Sequence, residues 1–125
     1  MYDKDIVIDI LSQISMAITT IEQRFEPISS VDDFTDSPIG MEKLDSICML
    51  LIAIGESLKN IDKITKKDLL KQYPQIDWTG AKGLRDIISH HYFDIDAIYI
   101  YDVCKNKLPD MLIVIEQIKQ DLLIK

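Results

Sequence analysis

A chain of 125 residues with 47% hydrophobic and 28% charged side chains is suited to one folded domain around a single core, and falls outside the composition of disordered or fibrous proteins. Four Gly and four Pro are too few for a turn-rich all-β design. The net charge of −7 excludes nucleic-acid binding driven by overall charge and leaves only a local basic patch for that purpose.

Residues 1–125 read as one all-α domain. The first residues are acidic (Asp3, Asp5, Asp9), opposite to the basic start of a secretory signal, so a cytoplasmic protein is expected. Val7, Ile10, Leu11, Ile14, Ala17, Ile18, Ile21 and Phe25 recur at three- and four-residue spacing, one apolar stripe of a long first helix. Pro27 and the polar stretch Ser29 to Ser37 break the chain. Asp36 or Ser37 can cap the second helix, with Pro38 in its first turn, where no amide hydrogen is needed. The longest apolar run, Ile47 to Ile54, is too short to span a membrane. Apolar on every face, it predicts the most enclosed helix. Gly55 inside that helix costs roughly 1 kcal/mol against Ala, a cost that close approach by a neighbouring helix would offset.

Thr65 and Asp68 have the spacing of a capping box, predicting a short helix that ends before Pro74. Asp77 can cap the next, whose apolar face is Trp78, Ala81, Leu84 and Ile88. Asp94 or Asp96 can cap the last, with Ile98, Tyr101, Leu108, Leu112, Ile115, Ile118 and Leu122 on one side. Pro109 should kink or split it, because proline removes a backbone donor and crowds the preceding turn. Helices of this length with short connections predict an antiparallel bundle of four to five. Cys48 and Cys104 lie in apolar stretches with no metal-ligand spacing, and are expected as buried thiols.

Charge is distributed unevenly. Residues 1–58 carry a balance of −8, residues 59–85 one of +4, and residues 86–125 one of −3. The basic stretch includes Lys66, Lys67, Lys71 and Lys82, the candidate RNA-binding residues, and runs directly into Arg85-Asp86-Ile87-Ile88-Ser89-His90-His91-Tyr92. One of the two arginines and both histidines of the chain fall in that segment. Asp86 and His90 are four apart, hence neighbours on one helix face, where the carboxylate can fix the imidazole tautomer. Arg85 and His90 are five apart, roughly 140° around an ideal helix. Either the helix loosens near His90, or a second copy of the chain completes the site.

These groups suit cleavage of a phosphodiester without a metal. An arginine grips the phosphate through two hydrogen bonds and stabilises developing charge. A histidine takes the proton of a ribose 2′-hydroxyl or gives one to the leaving oxygen. An internal 2′-hydroxyl nucleophile restricts the substrate to RNA. The same residues also have an ordinary structural reading: His90 at a helix C-terminus, Arg85 in a surface ion pair, Tyr92 a buried aromatic. A zinc site on His90 and His91 is disfavoured, since adjacent histidines point to different sides of a helix and no third ligand lies at a familiar spacing.

Arg85-x4-His90-x-Tyr92 resembles the R-x4-H-x-Y motif of HEPN-domain proteins, and more closely that of HepT toxins. The likeness extends to Ile54-Gly55-Glu56, Ile76-Asp77-Trp78, Gly83-Leu84 and Tyr92-Phe93-Asp94-Ile95-Asp96, and to the order of the helices. It implies a homodimeric helical bundle that cleaves RNA, with tRNA a candidate substrate, using Arg85 and His90 as the catalytic pair, Asp86 and Tyr92 in support, and neither metal nor cofactor. Asp86 departs from the small polar residue, commonly Asn, found there in the family. The resemblance further implies a toxin–antitoxin pair, in which a minimal nucleotidyltransferase of the MntA kind transfers AMP to the motif tyrosine, here Tyr92. Added phosphate charge and bulk would then block the RNA site. The competing reading is a non-catalytic interaction module that docks the nucleotidyltransferase.

Overall fold

The computed structural model describes residues 2–90 and 95–124, with backbone only at Ser89 and His90. Helix α1 spans Lys4–Phe25, with Asp3 as its cap: Oδ1 accepts from the amides of Asp5 (3.0 Å) and Ile6 (3.4 Å). Its predicted stripe is the buried one, with Val7, Ile10, Leu11, Ile14, Ile18 and Ile21 turned inward. Each fully buried Ile or Leu stabilises the fold by roughly 1.5–3 kcal/mol, so this stripe fixes how α1 docks.

The polar stretch after Pro27 contains a one-turn helix, α2 (Asp32–Thr35), which the polar composition did not predict. Phe34 explains it. This single aromatic is fully buried, its ring 6.0 Å from Phe25 and 6.4 Å from Tyr101 between centroids. Helix α3 (Pro38–Thr65) then starts as expected, with the Ser37 hydroxyl accepting from the Gly40 amide at 3.0 Å. A Cβ at residue 40 would overlap the carbonyl oxygen of Asp33, so a side chain there would lift α2 off α3.

Two expectations for this region need correction. The run Ile47 to Ile54 is not enclosed on all sides: Ile47, Cys48, Leu51 and Ile54 are buried, but Met49 is 68% exposed. Helix α3 has one inward face, and its apolar residues spill over onto the outer one. Thr65 opens no helix either. It belongs to the last turn of α3, where its hydroxyl donates to the Ile61 carbonyl at 2.8 Å. Lys66 and Lys67 follow at positive φ (53° and 63°), and the Lys67 amide closes on the Asp62 carbonyl at 2.8 Å. The expected short helix is reduced to one 3-10 turn, Leu70–Gln72, because buried Leu69 and Leu70 pull the chain back to the core.

Helix α4 (Trp78–His90) keeps the predicted cap and face. Asp77 Oδ1 accepts from the Gly80 amide at 2.9 Å, and Trp78, Ala81, Leu84 and Ile88 are all buried. Helix α5 (Ala97–Asp102) is capped by Asp96, which accepts from the Tyr99 amide at 3.2 Å; Asp94, the other cap considered, lies outside the described residues. A π turn at Val103–Lys107 separates α5 from α6 (Leu108–Ile124), the split anticipated at Pro109. An inserted residue rotates the preceding helix by roughly 100° relative to the following one. This corrects the last apolar stripe. Ile98 is 69% exposed, while Ile100, Val103 and Cys104 lead into Leu108, Ile115, Ile118 and Leu122 on the buried side.

The described residues contain no strand, and the architecture is the all-α bundle that the helical periodicity predicts, consistent with the HEPN-like fold that the resemblance implies. Helices α3 and α4 run antiparallel, since Glu56 faces Arg85 while Asp62, farther along α3, faces Lys82. The far end is tied by Tyr73, whose hydroxyl donates to Asp121 at 2.5 Å and whose carbonyl accepts from the Trp78 indole at 2.9 Å. Burial, reinforced by that bond, pushes the Tyr73 phenol up to about 12. Cys48 and Cys104 are buried free thiols, both pushed up to about 12 chiefly by loss of solvent. No described helix is long and apolar enough to cross a membrane.

Candidate active site

Helix α4 carries the candidate site, and its apolar face determines what remains outside. With Trp78, Ala81, Leu84 and Ile88 committed to the core, positions 85, 86 and 87 must turn outward, and all three are exposed. Helix α4 stays α-helical through His90, so the backbone does not loosen before that residue. Positions 85 and 90 therefore remain roughly 140° apart around the axis. Of the motif, Arg85 and Asp86 have described side chains; those of Ser89 and His90 are not described, and His91 and Tyr92 lie outside the described residues.

Arg85 is held from the neighbouring helix. Its Nε lies 2.8 Å from Glu56 Oε1, with both side chains half exposed. Among the described residues Glu56 is the carboxylate that pairs with Arg85. An exposed pair of this kind stabilises by no more than about 1 kcal/mol, weak enough for a phosphate to compete for the guanidinium. The contact uses Nε, whereas a bidentate phosphate grip can use the two terminal nitrogens of the same planar fork. Glu56 can thus orient Arg85 without preventing its use. The spacing around the motif does not point to Glu56; the signal that could have found it is Gly55 immediately before it.

Gly55 brings the two helices together. A Cβ at residue 55 would lie 3.1 Å from the Ala81 carbonyl oxygen, 3.4 Å from that of Lys82 and 3.8 Å from the Arg85 amide nitrogen. The predicted close approach is thus one between α3 and α4, directly beside the arginine. One turn earlier on α4, Lys82 forms a short ion pair with Asp62, which is largely buried.

The basic stretch separates into two groups. Lys82 is committed to Asp62, and Lys71 pairs with Asp68 at 3.4 Å. Lys66 and Lys67 are exposed at the left-handed end of α3 and form no ion pair with a described residue, and neither do Lys59 and Lys63 within that helix. No group of three or more His, Cys, Asp and Glu side chains able to hold a metal ion occurs among the described residues.

The family model described as "Ribonuclease HepT-like" matches residues 14–118, from the middle of α1 to the last turns of α6. The chain belongs to the HepT-like ribonuclease family. Among curated relatives, a candidate RNase of Methanocaldococcus jannaschii is 34% identical over 103 residues, covering 78% of this chain and 82% of its own. A candidate ribonuclease HepT of Thermococcus cleftensis is 28% identical over 103 residues, covering 82% and 86% of the two chains. A third, from Caldanaerobacter subterraneus, also named as an RNase, is 24% identical over 91 residues. No solved structure matches the chain.

Proposed function

We propose that this HepT-like chain is a metal-independent endoribonuclease, the toxin of a toxin–antitoxin pair, acting in the cytoplasm as a single-domain homodimer. The observation that carries the reading is Arg85: half exposed on the outer side of α4, steadied by Glu56, on a helix that continues unbroken to His90. The roughly 140° between the two motif positions supports a site completed by a second copy, where an arginine and a histidine from paired helices meet over one phosphate.

Arg85 binds the scissile phosphate and stabilises the charge that builds on its oxygens as the 2′-oxygen attacks. His90 moves protons, taking one from the 2′-hydroxyl or delivering one to the departing 5′-oxygen. The bond from phosphorus to the 5′-oxygen breaks as the bond to the 2′-oxygen forms, leaving a 2′,3′-cyclic phosphate and a 5′-hydroxyl. Holding nucleophile and phosphorus in one residue of substrate supplies the proximity that makes such a step fast. Control comes from an MntA-like nucleotidyltransferase: the Tyr92 oxygen attacks the α-phosphorus of ATP, pyrophosphate leaves, and the added AMP places negative charge where RNA phosphate would sit.

Total RNA incubated with purified protein in EDTA tests the activity. The wild type should cleave it, and the Arg85→Ala, His90→Ala double variant should not. Equal degradation by both proteins would remove the assignment. If the dimer binds a nucleotidyltransferase but leaves every RNA intact, the docking-module reading replaces this one. Treatment with the nucleotidyltransferase and ATP should add AMP masses to Tyr92, and a modification found only on Tyr99 or Tyr101 would contradict the proposed control.

A further inference from the structure

The geometry points to a substrate path along the C-terminal half of α3. We propose that single-stranded RNA leaves Arg85 across Glu56 and lies against Lys59, Asn60 and Lys63, with the two lysines holding consecutive stretches of its backbone. This rests on the ribonuclease reading above and says where the strand runs.

Three observations converge on this face. An open groove of about 400 Å³ is lined by Glu56, Ser57, Lys59, Asn60 and Lys63. Residues 56, 59, 60 and 63 are spaced three, four and seven apart, so they form one continuous strip of the helix. Glu56 belongs both to this strip and to the Arg85 pair, so the groove begins where the candidate catalytic arginine is held. At 1.5 Å rise per residue, Lys63 lies about 10 Å along the axis from Glu56, with Lys59 between them.

Charge selects the occupant. Neither Lys59 nor Lys63 forms an ion pair with a described residue, whereas Lys71 and Lys82 do. An unpaired ammonium gains more from a phosphate than one that must first leave a carboxylate, and the chain is otherwise acidic, so binding here would be local. The groove offers two cations, an amide and a hydroxyl and no apolar side chain, and its one carboxylate, Glu56, is paired with Arg85, which fits a phosphodiester backbone better than an apolar peptide. The basic stretch therefore divides by function: Lys82 anchors α4 to α3, Lys71 is a surface pair, and Lys59 and Lys63 track the substrate.

The test measures binding of a short fluorescein-labelled single-stranded RNA to the full chain carrying His90→Ala, which prevents cleavage during titration. Adding Lys59→Ala and Lys63→Ala should weaken binding on the order of tenfold at low salt and make the dependence of log affinity on log salt shallower by roughly 1.4, about 0.7 for each phosphate no longer neutralised. The comparison protein carries Lys4→Ala and Lys43→Ala, the same change in net charge elsewhere, and should retain affinity and slope. Far-UV circular dichroism establishes that both proteins fold. Equal losses in the two proteins, or none in the first, would overturn the path while leaving the ribonuclease reading intact if wild-type protein cleaves RNA. Absence of RNA binding by the parent protein would overturn the path, and the ribonuclease reading would fall with it if wild-type protein also leaves RNA uncut.

Discussion

Replacing Gly55 with Ala tests how the fold positions the site, because two opposing effects of known size meet at that position. In an exposed helix interior, Gly→Ala stabilises by roughly 1 kcal/mol. At residue 55 the new methyl would lie 3.1 Å from the Ala81 carbonyl oxygen and 3.4 Å from that of Lys82, both backbone atoms of a packed helix. Neither can swing aside as a side-chain tip would, so α4 itself must move outward by a few tenths of an ångström. Such overpacking costs typically about 1–3 kcal/mol. Overpacking wins, and Gly55→Ala should be destabilised by about 0–2 kcal/mol, lowering the melting temperature by up to roughly 8 °C. Gly83 provides the internal control. It also lies within a helix, but a Cβ there meets nothing within 4 Å, so Gly83→Ala should raise the melting temperature. Paired thermal melts read both signs at once, and RNA cleavage should fall with Gly55→Ala because the displaced segment carries Arg85. A Gly55→Ala protein more stable than wild type and fully active would refute the claim that close contact between α3 and α4 sets the arginine.

Other substitutions separate orientation from bulk stability. Glu56→Gln keeps the shape of the partner of Arg85 but removes its charge; cleavage should drop several-fold through the chemical step while the melting temperature shifts little, since an exposed pair contributes at most about 1 kcal/mol. An unchanged pH–rate profile and unchanged rate would show that Glu56 is a bystander. Lys82→Met strands the mostly buried Asp62 carboxylate and should cost about 1–3 kcal/mol in urea denaturation, against no more than about 1 kcal/mol for Lys71→Met; equal losses would contradict the different roles given to these lysines. Glu116 is held below the usual glutamate range, first by the Ser15 hydroxyl and then by Lys119. A carboxylate depressed in the folded state contributes stability above its unfolded value and loses it as pH falls through its folded value. The destabilisation caused by Ser15→Ala should therefore be present at neutral pH and shrink on acidification, and melts showing it constant down to strongly acidic pH would exclude the link.

Much of this architecture was legible because caps and stripes are local. Asp77 before Trp78, Ser37 before Pro38 and the α1 stripe each depend on neighbours within a few residues, and each appears where the spacing places it. What could not be read depends on distant partners. Phe34 forms a helical turn because Phe25 and Tyr101 receive it, and Thr65 stays in α3 because the helix has core to cover that far. Ile98 turns outward because a π turn shifts the phase, a change that a fixed 3.6-residue period cannot express. The same limit applies to the site. Arg85 stood out by its rarity and spacing, while Glu56, 29 positions away in sequence, joins it only when Gly55 lets the helices touch.

The most direct measurement follows the 2′-oxygen of the substrate. Once a cleavage site is mapped, an RNA carrying a single 2′-deoxy nucleotide immediately 5′ of the scissile phosphate is compared with its all-ribose parent in EDTA. Internal nucleophilic attack guided by Arg85 and His90 predicts that the parent yields a 2′,3′-cyclic phosphate and a 5′-hydroxyl, while the deoxy substrate stays whole at that position. Cleavage of the deoxy substrate at the same bond and rate would contradict it.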